Sequence, residues 1–243
     1  MSIKVKNLRK NYSKGVIDIK TFFFDLKKLF NKSKDKSQFT ALEINNLYIN
    51  DGDIIGIIGK NGAGKSTFCK LLSRVTTPSS GSIVLEGKVI SMLEVNAGFH
   101  EQLTGLQNIY LRGSILGMTK KEINKNLNEI IEFSELREFI NTPVKRYSTG
   151  MCVKLGFAIG LHLKNKILIC DESLAVSDEK FKLKCINRLK NNYNDEKILI
   201  FVSHDLNLIK MLCKRILVFD NSKIIDDSTD VDTIVDKYKF LEN

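Results

Sequence analysis

Residues 59–66 read Gly-Lys-Asn-Gly-Ala-Gly-Lys-Ser and fit the pattern GxxxxGK[ST]. They follow directly on the apolar run Asp53-Ile-Ile-Gly-Ile-Ile58, so the pattern stands where a buried strand gives way to a helix. In that setting the chemistry is phosphate binding. Gly59, Gly62 and Gly64 let the chain turn tightly, so that the backbone N–H groups from Lys60 and Asn61 to Ala63, and those of the helix start at Lys65 to Thr67, converge on phosphate oxygens. Lys65 reaches the β- and γ-phosphates, and the Ser66 hydroxyl is a ligand for Mg²⁺.

A second constellation completes the first. Ile167-Leu-Ile-Cys170 is an apolar strand that ends in the carboxylate pair Asp171-Glu172. Beside a phosphate loop, Asp171 suits Mg²⁺, directly or through water, and Glu172 suits the polarisation of an attacking water. His204 ends the strand Ile198 to Ser203. A lone histidine is more often structural, but the carboxyl end of a parallel strand is where such sheets hold their ligands.

The elements that position these groups are legible in the apolar spacing. Ile3, Val5 and Leu8 mark a first strand, and Leu42, Ile44, Leu47 and Ile49 a second. The run after Gly52 lacks alternation, as expected of a strand covered on both faces. Pro78 to Gly81 reads as a turn, and Ser82 to Leu93 as short strands. The middle is helical: Thr119-Lys-Lys-Glu122 is a capping box, and Ile123, Leu127, Ile130 and Ile131 recur on one helix face. A glycine-bearing loop and another helix follow Pro143. Then come a strand at Lys166 to Cys170, a helix at Glu179 to Asn192, strands at Lys197 to Val202 and Arg215 to Phe219, and a last helix at Asp230 to Leu241. Strands alternating with helices give an α/β chain with a mainly parallel sheet.

Composition narrows the function classes. The 243 residues are 43% hydrophobic and 27% charged, which suits one large domain, 1–243, and excludes wholesale disorder. No apolar run approaches the ~18 residues of a membrane-spanning helix, and Met1 to Tyr12 lacks the apolar core of a secretory signal. The five cysteines are scattered and never spaced as CxxC, which argues against a disulfide framework or a zinc site and for a reducing, cytosolic setting. Of the net charge of +10, residues 1–40 carry +8, from ten lysines and Arg9 against Asp18, Asp25 and Asp35. A basic end suits an anionic partner, whereas 31 lysines against 7 arginines also suit a simple lysine bias of composition. No interleaving of arginine with aromatics supports a nucleic-acid partner.

On these residues the chain resembles the ABC ATPases. Tyr147-Ser-Thr-Gly-Met151 stands at the place of their signature, Glu172 to Asp178 matches their D-loop spacing, His204 their switch histidine and Tyr12 their adenine-stacking aromatic. The likeness runs from Ser2 to about Asp227. The wording Ala97-Gly-Phe-His100, Leu103-Thr-Gly105 and Glu172-Ser-Leu-Ala-Val-Ser-Asp178 followed by Phe181 is similar to one branch, the ATP-binding subunits of bacterial O-antigen, capsule and teichoic-acid exporters. There are two departures. No glutamine stands at the Q-loop position, where Glu94 is the nearest candidate. In the signature Thr149 replaces a glycine and Met151 a glutamine, while Ser148 and Gly150 remain.

The resemblance implies a phosphate-loop α/β fold: a mainly parallel core sheet, an antiparallel β subdomain and an α-helical subdomain at about 95–162. It also implies a head-to-tail homodimer that sandwiches two ATP molecules, with Ser148, Thr149, Gly150 and Met151 serving the partner's ATP. Hydrolysis would then drive a separate polytopic permease from the cytoplasmic face of the inner membrane. Another ABC transporter type is the alternative reading. A GTPase would need Asn-Lys-x-Asp, a repair-type ABC ATPase a long coiled coil, and a translation-type factor two cassettes; none is present.

One stretch stands apart from this plan, the basic insertion at 15–38. On helical periodicity Ile19, Phe22, Phe23, Leu26, Leu29 and Phe30 share a face, with Lys20, Lys27 and Lys28 opposite or on the flank. Two readings stand: a helix packed on its own domain, or an interfacial helix of residues 15–36 touching anionic lipid or the permease.

Overall fold

The computed structural model describes residues 2–13, 38–92, 98–163, 166–170, 178–193 and 196–242. Strand β1 (Ser2–Ser13) pairs antiparallel with β2 (Gln38–Asn50), and β3 (Ile54–Gly59) leads into helix α1 (Lys65–Leu72). Then come β4 (Ser80–Leu85), β5 (Val89–Ser91), α2 (Gly105–Ile115), α3 (Lys120–Ser134), α4 (Thr149–Leu161), β6 (Ile167–Cys170) and α5 (Glu179–Asn192). The chain closes with β7 (Ile198–Val202), α6 (Leu206–Leu212), β8 (Arg215–Asp220), β9 (Lys223–Ser228) and α7 (Val231–Glu242). The turn expected through Gly81 is shorter than its sequence suggests, because β4 already begins at Ser80.

Two sheets form. The smaller has the order β2-β1-β4 and is antiparallel. The larger has the order β5-β6-β7-β3-β8-β9, with β5 to β8 parallel and β9 antiparallel at the edge. Strands β3, β6 and β7 are buried at every position, which is why their sequences are continuous apolar runs. Their side chains divide between two cores. Ile54, Ile58, Leu168, Cys170, Leu199 and Phe201 pack with the helices α2 to α7. Ile55, Ile57, Ile167, Ile169, Ile198 and Ile200 pack with α1 and the small antiparallel sheet. The pleat alone makes this division, since successive residues of a strand face opposite ways.

Helices α2 to α6 start at side-chain caps, whereas α1 starts at Gly64 without one. Thr119 and Glu122 form the expected capping box of α3, with both hydrogen bonds made. Thr104 and Gln107 form a second box on α2. Ser148, Asp178 and Asp205 cap α4, α5 and α6. Among the described residues no helix is long and apolar enough to cross a membrane.

Candidate nucleotide site

The site begins where β3 stops. A Cβ on Gly59 (φ +147°) would lie 2.2 Å from the carbonyl oxygen of Phe219 on neighbouring β8, so only glycine fits there. The chain then curls back, with Ala63 N–H donating to the Lys60 carbonyl at 3.1 Å. Gly64 enters α1 at φ +104°, a left-handed conformation open to glycine at little cost. Lys65 is buried, and its ammonium donates to the carbonyl oxygens of Gly59 at 2.5 Å and Lys60 at 3.1 Å. The cation is therefore held inside the curl of the loop rather than extended into solvent. Ser66 is exposed on the first turn of α1.

Residues 61–67 form one wall of a cavity of about 380 Å³, within the range of small-molecule sites. The opposite wall is Tyr12 on β1, Phe39 and Ala41 on β2, and Ser222. The Tyr12 and Phe39 ring centroids lie 6.0 Å apart. Ser222 belongs to the turn between β8 and β9, and two bonds fasten that turn to β2: Ser222 Oγ donates to the Thr40 carbonyl at 3.0 Å, and Glu43 N–H donates to the Ser222 carbonyl at 2.7 Å. One end of the cavity thus offers backbone N–H groups, a helix N-terminus and a buried ammonium, and the other offers aromatic rings. An anionic polyphosphate carrying a planar base fits that division. A second cavity of the same volume lies between β2 and β9, but Glu43, Asp226 and Asp227 outnumber Lys223 there, the wrong charge for phosphate.

His204 is exposed just past β7. Because β7 runs parallel to β3, with Val202 opposite Ile57, His204 and Gly59 emerge at the same edge of the sheet. Asp171 and Glu172 would follow β6, whose Cys170 lies opposite Phe201 of β7. Both carboxylates lie outside the described residues, as do Glu94 and residues 15–37 of the insertion, whose expected last residue, Gln38, opens β2.

The four residues expected as the signature lie on another element, the start of α4. Ser148 caps α4 by accepting from Met151 N–H at 3.2 Å. Ser148 and Thr149 are exposed, Gly150 and Met151 half-buried, and none of the four lines the cavity. Burial, with the nearby Cys152, pushes the Tyr147 phenol up to about 12, and its hydroxyl donates to the Phe139 carbonyl. Further along α4, Lys154 bonds Asp178 Oδ2 at 2.7 Å and Glu135 Oε2 at 2.8 Å, and its ammonium stands 5.2 Å from the Phe181 ring centre. The other Asp178 oxygen accepts from Phe181 N–H and caps α5. The bond from Lys154, with that backbone N–H, holds the Asp178 carboxyl below its usual range. Glu135 is held low by the bonds from Lys154 and Lys184. Helix α4 is thereby tied to Asp178, the cap of α5.

Sequence reasoning missed Phe39, Ser222 and Lys154. Tyr12 faces Phe39 only because a bulge between Lys10 and Asn11 shifts the register; continued pairing from Lys10 with Leu42 would have placed Thr40 there. No local pattern carries that signal.

Comparison with known proteins agrees with this geometry. The ABC transporter family matches residues 42–175. The chain is 38% identical over 221 residues to the O-antigen export system ATP-binding protein RfbB of Klebsiella pneumoniae, covering 91% of this chain and 89% of that one. It is also 38% identical over 242 residues to the teichoic acids export ATP-binding protein TagH of Staphylococcus epidermidis, covering 100% of this chain and 90% of that one. Among solved structures, a dimeric ATP-binding cassette in a post-hydrolysis state with ADP and Pi superposes with a TM-score of 0.73 at 22% identity, covering 93% of this chain and 97% of that one; the likeness is one of fold. The family match and these relatives, together with the phosphate loop and its cavity, establish that the chain belongs to the ABC transporter family, as an ATP-binding cassette.

Proposed function

We propose that this chain is the ATP-hydrolysing subunit of an exporter that carries a cell-surface polysaccharide, of the O-antigen or teichoic-acid kind, through a separate polytopic permease. The observation that carries the reading is a single cavity holding the phosphate loop, its Lys65 ammonium and the Tyr12 ring. The names of the relatives support the cargo.

In this reading Lys65 and the loop N–H groups bind the triphosphate, and Tyr12 stacks on the base. The Ser66 hydroxyl and Asp171 would hold Mg²⁺, which offsets charge on the β- and γ-phosphate oxygens. Glu172 takes the proton of the attacking water, and His204 serves the γ-phosphate end of the site. Ser148, Thr149, Gly150 and Met151 do not line the chain's own cavity, which supports their serving the ATP of a second copy in a head-to-tail homodimer. Glu94 is the candidate for the Q-loop side chain, and residues 15–36 for a contact with anionic lipid or the permease. The setting proposed is the cytoplasmic face of the inner membrane, with the chain attached peripherally.

Purified protein should hydrolyse ATP in a Mg²⁺-dependent manner, and Lys65→Ala should abolish ATP binding, because the phosphates lose their main point charge. Cells carrying Lys65→Ala alone should lose the polysaccharide from their surface. Full ATP binding by the variant would contradict the site, and a normal surface polysaccharide would contradict the cargo.

A further inference from the structure

The bulge in β1 that sets Tyr12 opposite Phe39 also sets their side chains on one face of the sheet, since directly paired residues of an antiparallel pair point the same way. Their centroids are 6.0 Å apart and their planes inclined by 35°. Both rings line the cavity that ends at the phosphate loop. Phe39 is 44% exposed, a large apolar ring left uncovered at a cavity wall. Tyr12 is braced from elsewhere: the Lys10 ammonium stands 5.0 Å from its ring centre, is pinned by donating to the Thr77 carbonyl at 2.8 Å, and does not line the cavity. The Lys10 ammonium thus contacts the Tyr12 ring without occupying the cavity.

Stacked aromatic rings keep their centroids about 4.5 Å or more apart. A base cannot enter between two rings whose own centroids are only 6.0 Å apart. The pair is a floor and not a slot. A fused two-ring purine can cover both rings of such a floor, whereas a single-ring pyrimidine covers one. The two rings recognise a base by the area of its face, so the floor separates purine from pyrimidine by size.

We propose that Phe39 is a second base-binding residue, which with Tyr12 forms a two-ring floor that selects purine over pyrimidine nucleoside triphosphates. The proposal rests on the nucleotide-binding reading above and adds to it a residue and a selectivity. The test is a titration of the purified chain, wild type and Phe39→Ala, with ATP, CTP and inorganic triphosphate, each with Mg²⁺. Wild type should prefer ATP to CTP. Phe39→Ala should weaken ATP about tenfold, CTP no more than about twofold, and inorganic triphosphate not at all; Phe39→Trp should restore ATP. Three results overturn the proposal: unchanged ATP affinity in Phe39→Ala, an equal loss for ATP and CTP, or an equal loss for ATP and inorganic triphosphate. Wild type that binds none of the three overturns the nucleotide reading itself, an outcome distinct from wild type that binds ATP and CTP equally.

Discussion

Two glycines of the phosphate loop differ sharply in what they tolerate, and the difference separates packing from conformation. At Gly59 an added Cβ meets the Phe219 carbonyl at 2.2 Å, so β3 and β8 would have to part. At Gly62 (φ +80°) it meets nothing within 4 Å, and only the left-handed conformation opposes a side chain, at about 1–2 kcal/mol. Gly59→Ala should therefore lower the thermal midpoint much more than Gly62→Ala and abolish ATP binding. Equal midpoints for the two variants in a calorimetric scan would contradict the packing argument. Lys65 shows the complementary economy: by bonding the Gly59 and Lys60 carbonyls it satisfies a buried ammonium and aims it into the loop with the same contacts.

Among the elements, α4 and α5 are joined by charge at one point. Lys154 bridges Asp178, the cap of α5, and Glu135, which follows α3, while Lys184 bonds Glu135 from the other side. Both carboxyls are held below their usual range, so their contribution is full above the ordinary carboxylate pKa and is lost as pH falls through the depressed folded values. Lys154→Met keeps the packing on Phe181 and removes the charge. It should cost about 1 kcal/mol or less in urea unfolding at neutral pH, because solvent screens the largely exposed Asp178. The difference from wild type should close as the pH drops below the carboxylate range. A difference that persists at low pH would contradict the assignment of the effect to these ion pairs.

The same elements show what the sequence could convey. Strands β3, β6 and β7 and helix α3 were legible because each is long enough, and apolar or periodic enough, to declare its own burial. The Thr104–Gln107 box is equally legible by its spacing. Strand β9 was not legible. It lies at a sheet edge with alternate residues exposed and includes Asp226 and Asp227, and only the left-handed Asn221 and Ser222 (φ 44° and 67°) turn the chain into it. That tight turn is also what brings Ser222 to the cavity. The phosphate loop could be read because its chemistry is local. The Tyr12–Phe39 pair could not, because it depends on a register shift between strands distant in sequence.

For the whole molecule, the proposed function needs two copies and a membrane partner. The basic segment at 15–36 bears on the second need. Replacing Phe23, Leu26 and Phe30 with Ser should spare the ATPase activity of the isolated protein while reducing its binding to anionic vesicles and impairing export, because the apolar face that would sink into the headgroup boundary is gone. Loss of folding or of ATPase activity in that variant would place the face in the core instead. The first need is more basic. If residues 148–151 serve the ATP of a second copy, as proposed, closure of the dimer depends on the γ-phosphate, and roughly 5.5 kcal/mol of differential binding turns a two-state equilibrium from 1:99 to 99:1. Glu172→Gln should keep ATP binding and slow turnover by ~10²–10⁴, the usual contribution of a general base, so the closed form should accumulate. The most direct test is the mass of that variant by light scattering with ATP and Mg²⁺. It should move from the 27.6 kDa of one chain to about twice that value when ATP is added, and a particle that stays at one chain under saturating ATP would contradict the account.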